Sequence, residues 1–246
     1  MSVSAPAEKQ ALLLDLAACD LALSRAKGQL SNLADTLGIL QREGDVNQAK
    51  SARHEIFLEI ESIKAELARS ESDVEVVHKR IATDTERLAH TSSAKDAQGL
   101  EHELESLHKR LADLEDIELA IMERLEEAEK RLSEADAALR AAEESLRLAH
   151  EEEARTSSEL REEIGMQQAA RDTLVAQLPE DLYALYERQR ERYGVGATLL
   201  RGGTSSASGV ALTEADLQKI RSAADDEVLL CPDSNAILVR TKESGL

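Results

Sequence analysis

The sequence predicts a mainly α protein: a long antiparallel helical hairpin (a coiled coil) with a small C-terminal β-rich domain. Three observations predict it. Leucine recurs every seven residues over most of the chain. Leu, Ala, Glu, Lys and Arg dominate, while aromatics make up 2% and Trp is absent, which is the composition of long helices. The last quarter drops the heptad for short apolar runs between Gly- and Ser-rich turns.

In chain order, Pro6 suits the first turn of a helix, with Ser4 before it as a cap. Leu16, Leu23, Leu30 and Leu37 then form one ladder, and Cys19, Ala26, Leu33 and Leu40 the other. A second seam, Ile60, Leu67, Val74, Ile81 and Leu88, is out of phase with the first. The mismatch predicts a kink near residues 41–56, where Gly44 weakens the helix. Residues 89–99, AHTSSAKDAQG, are small and polar and predict the hairpin turn. Beyond it Leu104, Leu111, Leu125, Leu132, Leu139 and Leu146 share a ladder, and a row of Ala from 128 to 149 lets a partner helix approach. Glu-first pairs four apart, such as Glu127–Arg131 and Glu143–Arg147, favour the helix. Pro179 ends the run, so the hairpin is expected over 1–178 and the tail over 179–246.

In the tail, residues 181–192 read as a short helix broken by Gly194 and Gly196. Residues 197–200, 210–212, 227–230 and 236–240 read as strands, and Thr213 caps a helix through about Ser222. The expected core is Leu199, Leu200, Leu212, Leu217, Ile220, Val228, Leu230, Ile237 and Val239, or else the tail packs on the helical stalk.

The segments YGVGATLLRGG, LTEADLQKIRSAADDEVLLC and AILVRT, with SSAKDAQGLEHELESL and DLEDIELAIMERLEEAE in the hairpin, resemble the bacterial C4-type zinc-ribbon coiled-coil family. The resemblance implies a helical hairpin with a ribbon held by two Cys-x-x-Cys knuckles on one structural zinc, and an adaptor or chaperone-like role. This chain departs from that pattern. Aligned on Leu212–Thr213, the knuckle positions are Ser205 and Ser208, then Cys231 and Ser234. Three hydroxyls replace thiolates, which zinc prefers, and no His follows His150. The expectation is a degenerate site, a metal-free folded tail and no cofactor.

A net charge of -19 disfavours nucleic acid and anionic lipid over most of the surface. Two cysteines far apart make no disulfide framework, and the first residues carry no leader pattern. A cytoplasmic protein with no membrane partner is expected. No phosphate loop or catalytic constellation is present, and the histidines are scattered along helices. The expected function is therefore non-enzymatic: an adaptor or scaffold for protein partners, with self-association of the rod left open. The alternative is RNA or DNA binding through Arg188, Arg190, Arg192 and Arg201, which lie among Tyr183, Tyr186 and Tyr193.

Overall fold

The computed structural model describes residues 3–245. In chain order the elements are α1 (Ala7–Ser31), the single turn α2 (Leu33–Thr36), α3 (Ile39–His90), α4 (Ala94–Val175), α5 (Glu180–Tyr193), β1 (Ala197–Arg201), β2 (Thr204–Ser205), α6 (Glu214–Ser222), β3 (Leu229–Leu230), β4 (Ile237–Val239) and a 3-10 turn (Lys242–Ser244). They form two compact units. The hairpin unit is Gly38–Glu151. The head unit joins Met1–Leu37 to Glu152–Leu246. The compact division thus differs from the expected boundary at 178, because both ends of the helical stalk pack with the tail.

In the hairpin unit, α3 and the first part of α4 run antiparallel. Ile60 and Ile63 bury against Ile121 and Ala128, with Leu67, Leu125 and Leu132 beside them. Ion pairs Glu59–Arg131 (2.7 Å), Glu66–Arg124 (3.1 Å) and Arg80–Glu103 (2.8 Å) cross between the helices. Arg42 reaches Ser145, Lys50 reaches Glu143 and Arg53 reaches Asp136. The later part of the Ala row therefore faces residues 42–53, while Ala128 packs with Ile60 and Ile63. The expected pairs within α4 are rearranged: Arg131 turns to Glu59 and Glu143 to Lys50 across the coil, while Arg147 pairs with Glu144 and Glu151 on its own helix. Thr91–Ser93 connect the helices.

The kink expected near 41–56 is not a break in the helix, which is continuous from Ile39 to His90. The interruption lies upstream, at Asn32 and at Leu37–Gly38. Gly38 adopts a left-handed φ of 62°, and there the seven-residue ladder steps from Leu37 to Ile39. Ile39, Val46 and Ile60 are buried on the new ladder, while Leu40, on the old one, is 79% exposed. The out-of-phase seams were a real signal, but the slip occurs at Gly38 rather than around Gly44.

This assigns opposite roles to the two glycines. A Cβ at either would meet nothing within 4 Å, so only conformation matters. Gly38→Ala is expected to destabilise by about 1–2 kcal/mol, the cost of a left-handed non-glycine. Gly44→Ala, inside a helix, is expected to stabilise by up to about 1 kcal/mol. Urea unfolding followed by far-UV circular dichroism checks both signs.

In the head unit the sheet order is β2-β1-β4-β3, with β1 parallel to β4 and the other pairs antiparallel. The parallel pair requires a crossover, supplied by the segment carrying α6 and β3. Side chains alternate between the two faces. Ala197, Ile237 and Val239 bury against Leu13 and Leu16 of α1 and Leu182 and Tyr186 of α5. Leu200 and Leu238 bury on the other face with Leu212, Ile220 and Cys231. The tail therefore has a core of its own and also packs on α1. Leu230, expected in the core, is exposed on edge strand β3, and its neighbour Leu229 packs inward instead.

The N-terminal segment closes this unit. Ala5 N–H donates to the Asp226 carbonyl (2.8 Å), and Val228 N–H to Val3 (3.2 Å). Ser4, expected to cap α1, instead donates its hydroxyl to Asp226 (2.7 Å), and α1 has no side-chain cap. The buried Gln10 amide donates to the carbonyls of Ala5 and Asp225. Arg240 donates to five backbone carbonyls, of Ile220, Ala223, Ala224, Asp225 and Glu227, and so gathers the loop after α6.

Candidate functional site

The head unit buries a charge network where α1, the end of α4 and α5 meet. Arg171 Nε donates to Asp20 Oδ1 at 2.7 Å, and its guanidinium also engages Glu187. Tyr186 donates its hydroxyl to Asp20 Oδ2 at 2.7 Å. Arg190 binds Glu187 at 2.6 Å and lies 3.5 Å from Asp20. Burial, then the Asp20 carboxylate, pushes the Tyr186 phenol well above its ordinary range, so the ring stays a neutral donor. Leucines at heptad spacing bring α1 to this place, and Pro179 turns the chain so that α5 packs back on it.

Beside the network lies an open groove of about 670 Å³. One wall is the α1 stripe Leu14, Ala17, Ala18 and Leu21; the other is the chain from Gly194 to Leu199. Tyr186, Asp20 and Arg190 supply the polar groups. Leu21 and Val195 are exposed. An apolar cleft with a few fixed polar groups is the usual form of a recognition site. Sequence reasoning missed it, because its walls come from segments more than 170 residues apart. The only signal was the pair Ala17–Ala18, small residues off the buried seam.

Of the four residues expected from the resemblance as degenerate ligand positions, three come together. Cys231 is fully buried with Ser205, and Ser234 lies on the turn after it. Ser208 does not join them; it is exposed, and its hydroxyl accepts from Val210 N–H. The buried Ser205 hydroxyl makes no hydrogen bond to oxygen or nitrogen; its neighbour is the Cys231 sulfur. Burial pushes the Cys231 thiol up, but the hydroxyls of Ser205 and Ser234 and the backbone of Ser234 and Asp233 outweigh it, leaving the thiol below its usual range. One thiol among hydroxyls does not fit a tetrahedral zinc set. Among the described residues no group of three or more His, Cys, Asp or Glu is placed to hold a metal ion.

A lowered folded-state value means that the thiolate stabilises the head above the ordinary thiol range. That contribution is lost as pH falls through the folded value. Ser205→Ala removes one stabilising hydroxyl, so the thiol is expected to titrate at higher pH. Thiolate ultraviolet absorbance on a Cys19→Ala background measures this. A downward or absent shift would mean that Ser205 does not act on the sulfur.

The four arginines do not form one track. Arg190 is held in the buried network, and Arg201 lies 3.4 Å from Glu243. Arg188 and Arg192 are exposed, with Arg192 over the Tyr193 ring at 5.4 Å. Cys19 is half-buried, and burial with Asp20 and Asp15 raises its thiol. Among the described residues no helix is long and apolar enough to cross a membrane.

Comparison with known proteins places this architecture. An uncharacterized protein of Mycobacterium tuberculosis is 33% identical over 235 residues, covering 94% of this chain and 95% of its own. A solved structure from Mycobacterium smegmatis superposes with a TM-score of 0.80 at 30% identity, over 97% of this chain and 100% of that one. The CT398 structure from Chlamydia trachomatis shares the fold, with a TM-score of 0.63 at 18% identity over 94% and 97% of the two chains. The sequence profile of the CT398-like coiled coil hairpin domain matches residues 16–194. That span runs from the α1 seam through both long helices to the end of α5, and the chain belongs to the CT398-like coiled coil hairpin domain family.

Proposed function

We propose that this protein is a non-enzymatic cytoplasmic adaptor that holds a partner protein in the head-unit groove, and that its tail is a zinc ribbon whose metal cross-link has been replaced by packing. The observation that carries the reading is the groove: about 670 Å³, open, and walled by the apolar α1 stripe over a rigid charge network. Supporting the ribbon reading, Ser205, Cys231 and Ser234 converge as knuckle positions would. The occupant is an apolar segment of a protein partner, because the walls offer few polar contacts and the chain is strongly acidic.

The test is affinity capture from the native cell with wild type and with Leu21→Glu/Val195→Glu, both exposed positions. A defined protein retained by wild type and lost by the variant supports the adaptor. Retention by both, or by neither, contradicts it.

A second reading, nucleic-acid binding, rests on the exposed Arg188 and the Arg192–Tyr193 stack. It requires that RNA or DNA be retarded at low salt and that Arg188→Gln/Arg192→Gln abolish the retardation.

A further inference from the structure

The hairpin unit carries a second surface that the groove does not explain. On α4, Leu119 is 59% and Met122 49% exposed. Three residues apart, they share one helix face. The surroundings are acidic: no Lys or Arg occurs at residues 111–123 of α4 or 71–78 of α3, and within these spans Glu75 finds its cation, Lys79, just outside. Glu71, Glu115, Asp116 and Glu123 make no ion pair with any described residue.

The location on the coil follows from its register. Lys50 pairs with Glu143 along one edge of the helix pair. Steps of seven along each helix from that pair set Glu71 opposite Met122 and His78 opposite Glu115. At other crossing positions opposite charges meet, as in Glu59–Arg131 and Glu66–Arg124. Here the edge offers carboxylates and an exposed thioether instead. Carboxylates with no cation across the coil add nothing to the pairing of the two helices. Exposed large apolar side chains rimmed by charge are the form of a docking face.

We propose that this edge docks a cationic amphipathic α-helix of a partner protein, lying along the coil as a third strand. The apolar pair would receive the helix's apolar stripe, and the carboxylates its Lys or Arg flank. A second copy of this chain is the poorer occupant, because it presents the same acidic rim and repels. The proposal goes beyond the groove: it concerns different residues in the other unit, and either surface can fail alone.

The experiment uses the full chain and a labelled synthetic amphipathic helix of Leu and Arg, about 18 residues long, read by fluorescence anisotropy. A scrambled peptide of equal charge is the control. Wild type is expected to bind the amphipathic helix at least tenfold more tightly than the scrambled one. Leu119→Gln/Met122→Gln is expected to remove that preference, and Glu115→Gln/Asp116→Asn to weaken binding and flatten its salt dependence. The groove variant Leu21→Glu/Val195→Glu is expected to bind as wild type does. Equal binding of both peptides, or an undiminished preference in Leu119→Gln/Met122→Gln, overturns the proposal. So does light scattering that shows a wild-type dimer dissociated by Leu119→Gln/Met122→Gln, which would make the face a self-association surface.

Discussion

Arg171→Met is expected to destabilise the head unit by about 3–5 kcal/mol, the cost of removing one partner from a buried ion pair. Arg171 satisfies two carboxylates at once: Asp20, whose side chain is 9% exposed, and Glu187, 20% exposed. Without the guanidinium, Asp20 keeps the Tyr186 hydroxyl and a distant Arg190, and Glu187 keeps Arg190 alone. Neither carboxylate can move into water while α1 and α5 stay packed. The chain provides a local reporter. All three tyrosines, Tyr183, Tyr186 and Tyr193, lie in the head unit, and Trp is absent. Tyrosine fluorescence should therefore shift to lower urea, while the far-UV signal, to which the hairpin unit contributes, should shift less. Coincident shifts of equal size would mean that the two units do not unfold separately. The double variant Asp20→Leu/Arg171→Met should recover part of the loss, since it leaves no orphaned Asp20 charge.

The second large effect comes from a residue with no side chain. A Cβ on Gly196 would lie 2.4 Å from the Tyr186 ring. The ring cannot swing away, because its hydroxyl is fixed on Asp20 and its body is buried in the core of the head. Gly196→Ala is therefore expected to destabilise by about 3 kcal/mol, the upper end of overpacking costs. The mechanism makes a further demand. In a Tyr186→Leu background the added methyl has room, so the Gly196→Ala penalty should shrink to below about 1 kcal/mol. Equal penalties in both backgrounds, by tyrosine fluorescence or by hydrogen exchange in β1, would assign the strain elsewhere.

Most of the architecture was legible because its signals are periodic. The seven-residue ladders, the polar turn, Pro179 and Thr213 each act locally, and one strand of sequence carries them. Thr213 does accept from Asp216 N–H, as its N-cap position predicts. The position of the break was harder to read. A phase difference shows that a slip exists but not where, and Gly44 drew attention from Gly38, whose left-handed φ makes the step. Ser4 was misread for the opposite reason. A cap is a local inference, and a partner 222 residues away, Asp226, took the hydroxyl. The groove and the Asp20–Arg171–Tyr186–Glu187 network are contacts between distant segments, which no spacing rule registers. Tyr186 and Arg190 looked like a surface suited to nucleic acid; in the fold one is core and the other half of an ion pair. The tail's second core was not legible either, because Leu13 and Leu16, which pack on one face of its sheet, lie far outside it in sequence.

In-cell photo-crosslinking from Val195 most directly tests whether the groove holds a partner. A photoreactive residue is placed at Val195, on the groove wall, and another at Glu162, an exposed position on α4 outside it. The expected result is a discrete protein adduct from Val195 that is absent from Glu162 and suppressed by Leu21→Glu. No protein adduct at Val195, or the same adducts from both positions, would contradict the proposal that the groove holds a partner.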